Sequence, residues 1–253
     1  MIVALGVAGA AGGAVAAGAG GGAGGVPAGV TGFPAQHRPG PVLLVPGYGG
    51  QRATLQQLAG RLRAGGRAAT VLHLPGNGTG SLVTDAGVLN AAVGRALRAG
   101  APSVDVVGYS AGGVVALIWA QEDNGTHKAR RVVTLGSPFH GTRLAADAAG
   151  FLPGACPLAC QQLLPGSPLL ARLDAAGVPR RLPWLSLWTT GDTVVIPAAS
   201  ARLPGAVNLP VQSVCPADHV SHSGLPTDPV ATALVLQALG PGPVRKGGTG
   251  CGS

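Results

Sequence analysis

Ser110 lies in a sequence pattern that is typical of nucleophilic catalysis. Residues 108–112 read GYSAG, which matches the G-x-S-x-G pattern of a serine on a sharp turn between a strand and a helix. Because 44 of the 253 residues are glycine, the pentapeptide alone is weak evidence. The apolar run at 103–108 and the helical run at 112–122 supply the required context. An ordinary glycine turn between a strand and a helix is the alternative interpretation.

A serine hydroxyl becomes an effective nucleophile only when a nearby base accepts its proton. In this arrangement the acid and the histidine follow the serine along the chain in that order. Asp192 follows the predicted strand 184–191 directly and is the expected acid. We predict that His222 is the base, because the final helix begins shortly after it, and His219 is the alternative. Other acidic residues lie in helical or irregular segments before that strand, or at the end of the helix that follows the serine: Asp147, Asp174, Glu122 and Asp123.

The oxyanion that forms when an ester is attacked requires two hydrogen-bond donors. We expect one to be the backbone N–H of Ala111, directly after the serine. The other is expected from the loop 46–50 (PGYGG), where the N–H of Tyr48 is the best candidate. This loop lacks the Gly-Lys-Ser/Thr ending and the G-x-G-x-x-G spacing of nucleotide-binding loops. The sequence therefore predicts acyl chemistry that requires no cofactor and no metal.

These residues follow strands in a chain that alternates between strand and helix beyond residue 40. The predicted strands are 41–45, 68–74, 103–108, 131–136, 184–191 and 206–214, and the predicted helices are 51–64, 81–99, 112–122 and 229–239. Such alternation with apolar strands predicts an α/β fold with a mostly parallel central sheet and helices on both faces.

Residues 138–180 are longer than a plain connection and are rich in leucine and proline. We predict that they form a short cap-like insertion beside the site, able to hold acyl chains. Phe139 and Phe151 in this insertion, and Tyr109 beside the serine, are the predicted substrate-binding residues. The alternative is a surface excursion, linked by disulfides, that covers the edge of the sheet.

Four cysteines allow three disulfide pairings, and the sequence alone does not choose among them. They are Cys156, Cys160, Cys215 and Cys251. A zinc site is the alternative, formed by the first three cysteines with the two late histidines. Structural disulfides are favoured because no C-x2-C pair is present and because an exported chain oxidises its thiols.

Composition excludes several classes of protein. Hydrophobic residues make up 46% and charged residues 10% of the chain, which excludes charge-driven disorder and a charge-rich coiled coil. The net charge of +8 permits attraction to a polyanion, but the arginines are dispersed and no basic run lies beside aromatic residues. We therefore expect no nucleic-acid partner.

The first 36 residues carry no charged side chain and are rich in glycine and alanine. We predict a signal peptide, with a flexible leader as the alternative, and hence a secreted protein. A spanning helix is less expected because the segment is poor in leucine, isoleucine and phenylalanine. Residues 37–240 are predicted as the catalytic domain and 241–253 as a flexible tail.

Four segments together resemble a known family. Residues 45–50 (VPGYGG), 108–113 (GYSAGG), 135–142 (LGSPFHGT) and 222–225 (HSGL) are similar to bacterial secreted lipases of the α/β-hydrolase superfamily, in particular the class-2 lipases of actinobacterial type. The resemblance covers about residues 41–240. It implies the α/β-hydrolase fold and a Ser-Asp-His triad at Ser110, Asp192 and His222. Pro46 stands where the family usually has histidine, which leaves the backbone donors of the loop in place.

The resemblance also implies a function. We expect a triacylglycerol lipase or carboxylesterase that cleaves esters of lipid-like acids through an acyl-enzyme. It would act as a monomer, with at most transient contact with lipid interfaces. One alternative is an acyltransferase that uses the same triad. Another is a non-catalytic lipid-binding protein with a hydrolase fold.

Overall fold

A parallel β-sheet is the centre of the molecule. The structure is a computed structural model that describes residues 32–151, 154–245 and 250–251. The described residues form six strands: β1 (Val42–Val45), β2 (Ala69–Val71), β3 (Val104–Tyr109), β4 (Ala129–Leu135), β5 (Trp184–Trp188) and β6 (Val207–Pro210). They also form seven α-helices: α1 (Ala53–Ala64), α2 (Leu82–Arg98), α3 (Ala111–Glu122), α4 (Arg143–Phe151), α5 (Leu158–Gln162), α6 (Pro168–Ala176) and α7 (Pro229–Ala238). The predicted leader lies mostly outside the described residues.

The strand order of the sheet determines where a site can form. The order is β2-β1-β3-β4-β5-β6, and every neighbouring pair is parallel. The chain runs outward from β1 to β2 and then returns to place β3 on the other side of β1. Val45 at the end of β1 lies in register with Gly108 in β3. This reversal of direction opens a crevice at the carboxyl ends of β1 and β3, which is where open α/β sheets bind ligands.

Helices cover both faces of the sheet because the strand side chains alternate between two cores. In β3, Val104 and Val106 point to the core shared with α2 and α3, whereas Val107 and Tyr109 point to the core shared with α1 and α7. The α3 helix is buried almost all round, as expected for a helix that packs between a sheet and an outer layer. The predicted two-sided α/β architecture is confirmed.

Three strands end a few residues earlier than their sequence patterns predict, and one of them, β5, ends at Trp188 instead of residue 191. β2 ends at Val71, three residues early, because Pro75 begins a turn over 75–78. β6 ends at Pro210 and is followed by a 3-10 turn over 211–213. An apolar run forms a strand only as far as the neighbouring strand continues the hydrogen-bond ladder. Both β2 and β6 are edge strands, so each has one neighbour.

The segment 138–180 contains α4, α5 and α6, which pack over the α3 side of the sheet. A disulfide between Cys156 and Cys160 closes the turn before α5, and a second disulfide joins Cys215 to Cys251. These two bonds include the three cysteine sulfur atoms that the alternative zinc site would need. Within the described ranges, no helix is long and apolar enough to cross a lipid bilayer.

Candidate active site

Ser110 sits on the turn between β3 and α3 with an unusual backbone conformation. Its φ of 53° and ψ of −126° are rarely adopted by a residue with a side chain. A Cβ atom added at Gly108 would lie 2.5 Å from the Cα of Gly113, and one at Gly112 would lie 2.2 Å from the carbonyl oxygen of Val45. Only glycine fits at these two positions, so the GYSAG pattern is a packing requirement of this turn.

His222 and Asp192 lie beside Ser110 and form a continuous hydrogen-bond chain with it. The Nε2 atom of His222 is 3.1 Å from the Oγ atom of Ser110. The Nδ1 atom of His222 is 2.7 Å from the Oδ2 atom of Asp192. Because the carboxylate can only accept, Nδ1 carries the proton and Nε2 is left to accept one from the serine. This is the geometry that a serine nucleophile and its base require.

The Asp192 carboxylate is oriented from its other side by the main chain. Its Oδ1 atom accepts hydrogen bonds from the N–H groups of Val194 and Val195, at 2.9 and 2.8 Å. The acid and His222 are both buried, whereas Ser110 is partly open. His219, the alternative histidine, is exposed on the same loop. The structure therefore brings Ser110, Asp192 and His222 together and leaves His219 outside.

The loop after β1 approaches the serine as the sequence analysis expected. A Cβ atom at Gly47 would lie 2.9 Å from the Cβ atom of Ser110, so the backbone of this loop reaches the nucleophile directly. The N–H of Gly50 donates to the carbonyl of Gly47 at 3.1 Å and closes the loop into a turn. Ala111 is the first residue of α3, and the leading N–H groups of a helix have no acceptor within it. Both predicted oxyanion donors, Tyr48 and Ala111, thus flank Ser110.

The chain matches no protein-family model and no curated protein sequence. Its structure is similar to Aspergillus fumigatus lipase B, with a TM-score of 0.69 and 22% identity over 82% of this chain and 54% of the lipase. It is also similar to MGS-MChE2, an alpha/beta hydrolase enzyme from the metagenome of lagoon sediments at Mar Chica, Morocco, with a TM-score of 0.55 and 17% identity over 79% of this chain and 89% of that one. The chain has the α/β-hydrolase fold.

A further match is Bacillus licheniformis lipase BlEst2 in its mature form, with a TM-score of 0.59 and 21% identity. That alignment covers 70% of this chain and 84% of the lipase. The chain spans about half the length of the Aspergillus lipase. At these identities the likeness establishes the α/β-hydrolase fold, and the chemistry has to be argued from the site.

In this α/β-hydrolase fold a cavity of about 310 Å³ opens beside Ser110. Its walls come from the loop after β1, the segment 138–163 and the loop after Asp192. They are mostly apolar: Tyr48, Pro138, Thr142, Leu144, Ala145, Ala148, Ala155, Cys160, Leu163, Val194 and Val195. Three larger cavities, of about 450, 410 and 360 Å³, lie near Arg130, Arg131 and Arg180, and none of the predicted site residues lines them.

The predicted substrate-binding residues do not line the cavity beside Ser110. Phe139 is buried in the core, with its ring edge-on to Trp184 at 6.4 Å between centroids. Phe151 is 80% exposed at the end of α4. Tyr109 is buried beside His222. The aromatic residues of the segment 138–180 therefore do not mark the surface that lines the cavity, because this segment contributes smaller side chains to the cavity walls.

Thr142 and the α4 alanines are the residues that the sequence analysis missed. The Thr142 hydroxyl donates to the carbonyl of Val194 at 2.7 Å and accepts from the N–H of Ile196 at 3.1 Å. It therefore joins the insertion to the loop that carries Asp192. Its position at the end of the LGSPFHGT segment was a usable signal. Ala145 and Ala148 were marked by their three-residue spacing on one face of α4.

Proposed function

We propose that this chain is a serine hydrolase that cleaves carboxylic esters of lipid-like acids, as a triacylglycerol lipase or carboxylesterase. The observation that carries the proposal is the hydrogen-bond chain from Asp192 through His222 to Ser110, with the serine open to an apolar cavity. A serine hydrogen-bonded to a base and open to an apolar pocket is the usual signature of a nucleophilic catalytic site.

The reaction proceeds in two acyl-transfer steps. Ser110 Oγ attacks the ester carbonyl while His222 Nε2 accepts its proton, and the N–H groups of Tyr48 and Ala111 donate to the oxyanion. His222 then returns the proton to the departing alcohol, which leaves an acyl-enzyme on Ser110. A water molecule attacks this ester by the same route, and the acid is released. Asp192 keeps the imidazole in the tautomer that can accept a proton.

The substrate of the proposed enzyme is a small ester or lipid whose acyl chain occupies the cavity between α4 and the loop after Asp192. We further propose that the enzyme is secreted and acts as a monomer that contacts lipid interfaces transiently. Two disulfides support secretion, because such bonds persist mainly in oxidising compartments. Apart from the attacking water, the proposed reaction uses side chains and backbone groups of this chain.

Ester turnover by a Ser110→Ala variant tests the proposal. We expect the wild-type chain to hydrolyse p-nitrophenyl butyrate and to be labelled by a fluorophosphonate. Loss of the nucleophile should lower kcat by several orders of magnitude, on the order of 10⁴-fold or more, and abolish labelling. Unchanged turnover in this variant, or no turnover of any ester by the wild-type chain, would contradict the proposal.

A further inference from the structure

The imidazole of His222 packs against the residue that precedes the nucleophile. The ring centroids of Tyr109 and His222 are 5.2 Å apart, with an interplanar angle of 37°. Directly after β4, Gly136 leaves room for the imidazole, since an added Cβ atom would lie 3.0 Å from His222 Nδ1. The imidazole ring therefore has two close neighbours besides its partners in the hydrogen-bond chain.

Tyr109 also holds the main chain of His222. Its phenol donates a hydrogen bond to the carbonyl oxygen of His222 at 3.3 Å, in a buried setting. The same carbonyl accepts from the N–H of Leu225, also at 3.3 Å. Tyr109 and Ser110 share a peptide bond, so this contact links the backbone of the proposed base to the residue beside the proposed nucleophile.

The phenol keeps its proton under the conditions of ester hydrolysis. Burial, and next the negative charge of Asp192, raise the pKa of Tyr109 to about 12. The hydroxyl is therefore a neutral donor throughout the pH range in which p-nitrophenyl esters are assayed. The hydrogen bond to the His222 carbonyl does not depend on pH in that range.

We propose that Tyr109 is a positioning residue for the base: its ring and its phenol hydrogen bond set the separation between His222 Nε2 and Ser110 Oγ. The proposal rests on the proposed function, and it replaces the predicted contact between Tyr109 and substrate. Small displacements matter here, because a shift of about 1 Å in a reacting group lowers rates by up to about 10²-fold.

A Tyr109→Phe variant tests the hydrogen bond while it retains the ring. At 3.3 Å the bond is long for an O–H donor, so we expect kcat for p-nitrophenyl butyrate to fall about three- to tenfold. KM should stay within about twofold, because the phenol lies away from the cavity. Fluorophosphonate labelling of Ser110 should slow by the same factor as kcat.

Ser103→Ala is the matched control for the loss of a buried hydroxyl. Ser103 precedes the opposite end of β3, and its Oγ atom donates to the carbonyl of Arg38 at 3.1 Å. We expect this variant to change Tm by about as much as Tyr109→Phe and to leave kcat unaltered. An unchanged kcat in Tyr109→Phe would overturn the proposal. A raised KM with unchanged kcat would also overturn it, and would return Tyr109 to the substrate.

A measurement that needs no turnover separates this proposal from the proposed function. The proton on His222 Nδ1, held by Asp192, is expected to give a downfield NMR signal that broadens in Tyr109→Phe and not in Ser103→Ala. An identical signal in Tyr109→Phe would overturn the positioning role whatever the activity. Failure of the wild-type chain to react with any ester or fluorophosphonate would overturn the proposed function, and the broadening would still decide the role of Tyr109.

Discussion

Ser110, the proposed nucleophile, has a strained backbone. Among the described residues, four that are not glycine have positive φ: Asn77, Ser110, Asn124 and Arg181. Asparagine tolerates this region, whereas the ψ of −126° at Ser110 lies outside it. Strain of this kind costs about 1–3 kcal/mol and persists only where the surroundings impose it. Here the close approach of Gly108 and Gly112 to neighbouring backbone imposes it, which supports a functional reason for the turn.

Of the two late histidines, His222 contacts Ser110 and His219 does not, so variants of the two can be compared directly. We expect His222→Ala to lower kcat for p-nitrophenyl esters by several orders of magnitude, since no other side chain is placed to accept the proton of Ser110 among the described residues. His219→Ala should retain turnover, because His219 is exposed. Steady-state kinetics of both variants make the measurement. Comparable losses in the two variants would contradict the proposed role of His222.

Asp85 is a buried acid outside the hydrogen-bond chain of the site. It lies in the first turn of α2, and its Oδ2 atom has no hydrogen-bond partner in the described part of the chain. Burial raises its pKa from 3.8 to about 6. The folded state thus binds this proton more tightly than the unfolded chain does. Stability associated with Asp85 is complete at low pH and is lost as the pH rises from about 4 to about 6.

Removal of the Asp85 charge should therefore stabilise the protein at pH values above the pKa of Asp85. The helix dipole favours an acid in the first turn by about 0.3–1 kcal/mol, whereas an unpartnered buried group costs about 1–3 kcal/mol, so the burial cost dominates. We expect Asp85→Asn to raise the free energy of unfolding by about 1–2 kcal/mol at about pH 8 and by much less at about pH 4. Urea unfolding measures both. Asp147→Asn, at an exposed position of α4, should change neither value, and equal gains at the two pH values for Asp85→Asn would contradict the argument.

The α4 helix is the element that gives the cavity its inner wall. Its Ala145 and Ala148 face the cavity with methyl groups only, Leu144 contributes a half-exposed side chain to the wall, and Phe151 is exposed away from the cavity. Small residues on the inner face leave space for an acyl chain next to Ser110. We therefore treat α4 as the element that sets which acyl chains fit in the proposed enzyme.

A larger side chain on the inner face of α4 should shorten the preferred acyl chain. Ala148→Phe fills part of the cavity of about 310 Å³, and each lost methylene contact is worth about 1–3 kcal/mol. We expect kcat/KM for p-nitrophenyl octanoate to fall at least about tenfold more than for the acetate ester. Ala149→Phe adds the same bulk at an exposed position of α4 and should keep the original profile. An unaltered profile in Ala148→Phe would place the acyl chain elsewhere.

At the scale of the whole molecule, buried arginines explain part of the basic composition. Arg130 and Asp105 are almost fully buried and form an ion pair at 2.5 Å. Arg130 and Arg131 also donate to the carbonyls of Leu239 and Ala238 at the end of α7, each at 2.6 Å. These hydrogen bonds connect β4 to α7, the helix that follows the loop carrying His222. The basic residues in this cluster therefore connect elements inside the protein.

The two disulfides should differ in how much they stabilise the fold. Cys215–Cys251 spans 36 residues of sequence, and Cys156–Cys160 spans 4. In the chain-entropy description these spans correspond to about 4 and about 2 kcal/mol. We expect the paired Cys215→Ser and Cys251→Ser variant to lose more stability than the paired Cys156→Ser and Cys160→Ser variant in denaturant unfolding. The reverse order would show that native-state contacts, rather than chain entropy, dominate both bonds.

Much of the architecture follows from local patterns in the sequence. The periodicity of apolar residues identified six strands and four of the helices. Side chains two residues apart in a strand, or three to four apart in a helix, lie on the same face and are buried together. The positions of Ser110, Asp192 and the two late histidines after their strands followed in the same way. The predicted ends of β2, β5 and β6 were wrong by a few residues, since a strand ends where its partner in the sheet no longer continues the ladder.

The tertiary structure alone decided which side chains meet. His219 and His222 lie three residues apart in one loop, and only the packing of that loop against Tyr109 and Gly136 turns one of them toward Ser110. The pairing of the cysteines and the alanine-lined wall on α4 were likewise open in the sequence. Contacts between distant segments depend on how the helices and loops pack on the sheet. Local patterns of residue type and spacing do not reveal that packing.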